Sequence, residues 1–254
     1  QAVDEYQGIL RGAVASAGND HRLGANEAPP AIISMYLGDQ LGALVDSIAN
    51  GRDYVPFRKQ EGSIGVPESP IFPKDASDRN RTSPFAFTGN KFEFRMLGSQ
   101  ANVADANIVL NTIIAKTFSE FADKLEGEAD TEGAARKLIT ETIKAHSRII
   151  FNLDGYGPAW EPEAERRGLL NNKDTADATE VFFERKNIDV FVSQGVYTEE
   201  EALARAMVRL ENYVKIINIE AVTMLKMAKQ DIIPAVSDYV AELCSNVAAK
   251  KAIS

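Results

Sequence analysis

The sequence predicts an α+β fold: part of an antiparallel sheet with flanking helices, followed by a mostly α-helical extension. Three observations predict it. In residues 91–97, Lys91, Glu93 and Arg95 alternate with Phe92, Phe94 and Met96, the two-residue period of a half-buried strand. Glycine and proline punctuate the first half. The second half reads almost wholly at helical spacing. Composition changes near residue 127, so the boundary falls between 1–127 and 128–254.

Taken in order, residues 3–16 read as a short helix burying Tyr6, Ile9 and Ala13, stopped by a turn at Gly18-Asn19-Asp20. A second helix fits 31–49, where Ile33, Leu37, Leu41, Leu44 and Ile48 recur at three- and four-residue spacing behind Pro29 and Pro30. Four prolines and three glycines make 50–78 a long loop, and such loops usually serve a function. After the strand, a helix fits 101–125 through Ala106, Leu110, Ile113, Ile114, Phe118, Phe121 and Leu125. Further helices fit 131–148 and 174–186, around a structural loop at 154–160 that contains Trp160. Thr198-Glu199-Glu200-Glu201 is a capping box opening a long amphipathic helix, which Pro234 should kink or split. Its apolar stripe reads as core or subunit interface.

The chain has 254 residues, with 28 Lys and Arg against 37 Asp and Glu, a net charge of −9. That balance argues against a nucleic-acid or anionic-membrane binder. No apolar run approaches the roughly 20 residues of a membrane span. The single cysteine, Cys244, cannot form an internal disulfide, so a reducing, cytoplasmic setting is expected; it reads as a small buried hydrophobe. Two histidines are too few for a histidine-rich metal centre. His146 reads as a helix-surface or packing residue, and His21 as orienting the neighbouring loop. The chain starts at Gln1 without initiator methionine or signal pattern, which fits a piece of something longer.

Three segments carry chemistry. Lys91, Glu93 and Arg95 share one strand face over roughly 13 Å, at about 3.3 Å per residue. Either this is a solvated charge ladder, or a rigid carboxylate between cations that suits a metal and anionic groups, held by phenylalanines burying the other face. Asp78-Arg79-Asn80-Arg81-Thr82-Ser83 sets two arginines where they reach a phosphate, or pair with nearby acids. In His21-Arg22-Leu23-Gly24-Ala25-Asn26-Glu27-Ala28-Pro29-Pro30, a carboxylate sits on a loop that can close over a pocket, or simply enters a helix.

Arg22-Leu23 followed by Glu27-Ala28-Pro29, then Arg79-Asn80-Arg81-Thr82, then Lys91-Phe92-Glu93-Phe94-Arg95, in that order, resembles the second half of glutamine synthetase catalytic domains. The wording from Gly18 to Pro30 and from Asp78 to Arg95 is similar to the type III enzymes, and the helical part looks like their C-terminal extension. The resemblance implies the glutamine synthetase catalytic fold and a ligase that joins ammonium to glutamate through a γ-glutamyl phosphate. It implies ATP and Mg2+ or Mn2+ as cofactors, and a ring-shaped homo-oligomer, a dodecamer in the family. It implies that Arg22 and Arg95 bind glutamate and that Glu27 closes the site and takes a proton from ammonium. Arg81 would contact the ATP phosphates and the phosphoryl group in flight, Lys91 the nucleotide, and Glu93 a metal ion. Three departures stand. The spacing from Arg22 to Glu27 is one residue shorter than in type I enzymes. Ala86 replaces an arginine usual five residues after Arg81. The family's upstream metal-ligating glutamates and histidine have no counterpart here. The isolated segment is therefore predicted to be inactive. Two other readings remain: a related ligase using another amine, and a non-catalytic assembly or regulatory segment.

Overall fold

The computed structural model describes residues 1–25, 27–55 and 82–253, and the backbone of 61–62 and 72–73. By its contacts the chain forms two units, Gln1–Met207 and Val208–Ser254.

In the first unit, the expected opening helix is broken at Tyr6 into α1 (Ala2–Glu5) and α2 (Gln7–Gly12), and Tyr6, Ile9 and Ala13 are buried as expected. The Gly18-Asn19-Asp20 segment does not merely stop it. Ser16 accepts from the Asn19 amide and caps a helical turn, α3 (Ala17–Asp20).

The helix expected over 31–49 begins late. Residues 31–34 are irregular but buried, Met35–Tyr36 form strand β1, and helix α4 is Gly38–Asn50. The reason lies far along the chain. The Leu37 and Gly38 amides donate to Asn152 Oδ1 at 2.8 and 3.2 Å, so a distant asparagine caps the helix that no local side chain caps. Within the 50–78 interval, read as loop, Glu61–Gly62 (β2) pairs antiparallel with Phe72–Pro73 (β3).

The sheet that positions the site has three strands in the order β1, β4 (Phe85–Phe87), β5 (Phe92–Phe94). It is mixed rather than wholly antiparallel. β1 runs parallel to β4, with Met35 opposite Phe85; β4 is antiparallel to β5, with Ala86 opposite Glu93. The phenylalanines do not seal one face as expected, because Phe92 is 43 % exposed. Phe85 is the buried anchor and meets Phe92 and Phe94 edge-on, at 5.7 and 5.5 Å between ring centres.

Asn102 caps α5 (Val103–Leu125), as the period predicts, but its buried stripe runs through Ala106, Val109, Ile113 and Thr117, leaving Ile114 and Phe118 exposed. Then come α6 (Thr131–His146), α7 (Trp160–Arg166), α8 (Thr175–Glu180) and α9 (Arg185–Ser193). The expected 174–186 helix thus divides near a 3-10 turn at Val181–Phe183. These helices close over the N-terminal segment through polar ties. Buried Asp4 accepts from Arg148 Nε and meets His146 Nδ1, each at 2.8 Å, so of the two expected roles His146 takes that of a packing residue, hydrogen-bonded to Asp4. Asp20 accepts from the Thr175 amide and hydroxyl at 2.8 and 2.9 Å and faces the buried Arg11 guanidinium at 3.5 Å. Trp160 stacks on Phe151 at 3.8 Å, and Arg167 lies over both rings. Residue 151 also reaches the sheet, its amide donating to Met35 O at 2.9 Å.

The capping box at Thr198 is present, its hydroxyl accepting from the Glu201 amide at 3.2 Å, and opens α10 (Glu199–Met227). In the second unit a π-turn, Ala228–Ile232, precedes α11 (Ile233–Ile253). Pro234 lacks the N–H that an α-helix would use, and the wider turn just before it accommodates the loss. The unit's apolar side chains, among them Val214, Met224, Val236 and Leu243, are exposed. Cys244 is exposed as well, contrary to the expected burial, on a helix with no buried residue among those described.

Candidate active site

Arg22 follows α3, and its side chain is fastened from behind. Its Nη1 donates to Asn19 Oδ1 at 3.2 Å and to Met96 O at 3.3 Å, and its Nη2 to Arg95 O at 3.3 Å. Asn19 is itself buried and donates to Val14 O at 2.7 Å and Met96 O at 2.9 Å. One amide side chain therefore locks the Arg22 turn to the chain leaving β5. Beyond Arg22 the loop is short, with a bridge between Leu23 and Ala28, and it returns Glu27 so that its Oε1 lies 3.4 Å from Arg22 Nε. The Glu27 carboxylate is 76 % exposed.

From the other side, the Arg95 amide donates to Pro84 O at 2.7 Å, fixing the end of β5. The Arg95 guanidinium donates twice to Glu93 Oε2, at 3.3 and 3.2 Å. Lys91 Nζ lies 3.9 Å from the other Glu93 oxygen but is 65 % exposed. The strand thus presents the expected order of cation, carboxylate and cation, with only its inner part enclosed.

Arg22, Glu27, Glu93 and Arg95 line one cavity of about 350 Å³, together with Ser83 and Tyr156. Lys91 stands outside that lining, joined to it through Glu93. Arg81 lies outside the described residues. His21 is exposed at the start of the loop. Two contributors carry no clear mark in the sequence. Asn19 reads as turn, and its role needs the β5 exit beside it. Tyr156 belongs to a loop read as structural, although the Gly155-Tyr156-Gly157-Pro158 wording, an aromatic between two glycines, marks it.

Two guanidinium groups and two carboxylates in one hollow can bind a small zwitterionic amino acid and move a proton. The residues do not fit a metal site unaided. Glu93 is already paired with Arg95, and among the described residues no group of three or more His, Cys, Asp or Glu side chains could hold a metal ion.

The arrangement is an α+β fold in which the charges of a strand end and of a loop meet in one hollow beside a small mixed sheet. The family described as the glutamine synthetase C-terminal domain matches residues 134–251. The chain is 42 % identical to a Type-3 glutamine synthetase of Dictyostelium discoideum over 238 residues, 92 % of this chain and 32 % of that protein. It is 40 % identical to a glutamine synthetase of Butyrivibrio fibrisolvens, covering 99 % of this chain and 36 % of the relative. A glutamine synthetase of Bacteroides fragilis is 39 % identical, with 99 % and 35 % covered. The chain belongs to the glutamine synthetase family, and it spans about a third of the length of the curated relatives it matches.

Proposed function

We propose that the chain supplies the glutamate-binding and proton-handling side of an ATP-dependent glutamate–ammonia ligase. In this reading residues 1–127 are the C-terminal part of the catalytic domain and 128–254 a helical extension. The observation that carries the reading is the single cavity shared by Arg22, Arg95, Glu27 and Glu93.

A carboxylate is a poor electrophile, so ATP first phosphorylates the γ-carboxylate of glutamate. Arg22 and Arg95 hold the substrate, since a guanidinium grips a carboxylate through parallel donors. Arg22 already carries Glu27 at 3.4 Å. A substrate carboxylate arriving at Arg22 competes with Glu27, and the displaced Glu27 is then free to meet ammonium. Ammonium becomes a nucleophile only after losing a proton, and Glu27 is the base that collects it. The acyl phosphate hydrolyses readily, so a loop that covers it serves the reaction. Arg81 contacts the ATP phosphates and Lys91 the nucleotide, both on the strength of the resemblance. On the strength of the resemblance, Glu93 would offer one carboxylate toward Mg2+ or Mn2+.

The same reading takes the protein as a cytoplasmic, ring-shaped homo-oligomer. The exposed apolar side chains of the second unit support a subunit contact there. Among the described residues no helix is long and apolar enough to cross a membrane.

The test is glutamine formation by the complete protein from glutamate, ATP and ammonium, with polyamines in parallel. Ammonium should be the preferred acceptor, and Glu93→Ala should lower turnover on the order of a hundredfold. Preference for a polyamine would make the protein a ligase of another amine. Turnover unaltered by Glu93→Ala would favour a non-catalytic role for this segment.

A further inference from the structure

We infer that the loop at Asp154–Gly157, in the helical half, is a strap that positions the substrate loops, with Tyr156 as a positioning residue for Glu27. The inference rests on the ligase reading above and adds a residue to it. Tyr156 lines the same cavity as Arg22, Glu27, Glu93 and Arg95. Its hydroxyl donates to the backbone carbonyl of Glu27 at 3.0 Å. One residue earlier, the Gly155 amide donates to Thr82 O at 3.0 Å. Two adjacent residues thus hold two separate segments, one carrying Glu27 and the other entering β4.

The strap is itself held. Asp154 Oδ1 accepts from the Tyr156 amide at 2.9 Å, and the loop continues into buried Trp160, which stacks on Phe151. Position 155 requires glycine for a steric reason, since a Cβ there would overlap the Thr82 carbonyl oxygen. Glu27, by contrast, has an exposed side chain, and its carboxylate is tied to the strand side through Arg22. When substrate takes Arg22 from Glu27, the Tyr156 hydrogen bond remains to keep the Glu27 backbone at the cavity mouth. The helical half therefore contributes to the timing of proton collection without touching the reacting atoms. A strap that loosens exposes the acyl phosphate to water in place of ammonia.

Tyr156→Phe in the complete protein isolates that one hydroxyl and keeps the ring. The KM for ammonium should rise about fivefold, the scale of one neutral hydrogen bond, and that for glutamate should stay within about twofold. Phosphate released per glutamine formed should rise by a similar factor. Amide hydrogen exchange at Gly24, Glu27 and Ala28 should quicken, with the melting temperature little changed. Gly155→Ala should produce the same leak and faster exchange at the start of β4. Active wild-type protein whose Tyr156→Phe variant leaves both the phosphate-to-glutamine ratio and the exchange unaltered would overturn the strap. Absence of glutamine formation by the wild type overturns the ligase reading instead, and the exchange measurement still judges the strap.

Discussion

Asn19 shows how much of a site rests on a side chain that does no chemistry. It satisfies two buried carbonyls, Val14 O and Met96 O, and takes a hydrogen bond from Arg22. Asn19→Ala leaves Val14 O without that donor, leaves Met96 O only its bond from Arg22, and frees Arg22 on one side. The loss of stability should be about 2–3 kcal/mol, because a buried polar group without its partner costs more than an ordinary hydrogen bond contributes. Denaturant titration of the purified protein measures it. The charged residues Arg22, Glu27, Glu93 and Arg95 were legible in the sequence because residue type and order announce them. Asn19 was not, since an asparagine in a Gly-Asn-Asp run reads as a turn until Met96 is seen beside it.

Among the elements, α7 shows a local charge pattern serving a distant contact. Glu163 pairs with Arg166 at 2.7 Å and Arg167 at 2.6 Å, and Arg167 in turn donates to Ile150 O at 2.8 Å beside the Phe151–Trp160 stack. Hydrogen bonds from Arg166 and then Arg167 lower the Glu163 carboxyl from its ordinary 4.5 to about 2. A carboxyl held low in the folded protein contributes stability above its unfolded value and loses it as pH falls through the folded value. Wild type should therefore melt above Glu163→Gln at pH 5 to 7, and the gap should close between about pH 4.5 and 2. A gap that widened on acidification would refute this account of the clasp. The helix boundaries tell a similar story. The period of 31–49 is real, but its first third is strand and buried coil, because Asn152 caps the helix only from Leu37 onward.

For the molecule as a whole, the cavity is richer in guanidinium groups than in metal ligands. Glu93 alone cannot hold metal, and among the described residues no cluster of donors assists it. The 254 residues by themselves should thus form no glutamine from glutamate, ATP and ammonium in a direct product assay. Measurable synthesis by the isolated chain would contradict this. The exposed apolar side chains beyond residue 207 belong to the same account, because a helix so clothed is stable in company and wasteful alone.

The sequence alone determined the class of fold, the period of the strand, the capping box, the ordered charge motifs and the family likeness. Each of these is written in neighbouring residues, where spacing and side-chain chemistry act locally. Tertiary structure decided what joins positions far apart: Asn152 capping α4, Asp4 taking His146 and Arg148, and Tyr156 reaching the Glu27 carbonyl. Such contacts depend on where the chain returns, and a backbone carbonyl as partner leaves no mark in the residue it belongs to.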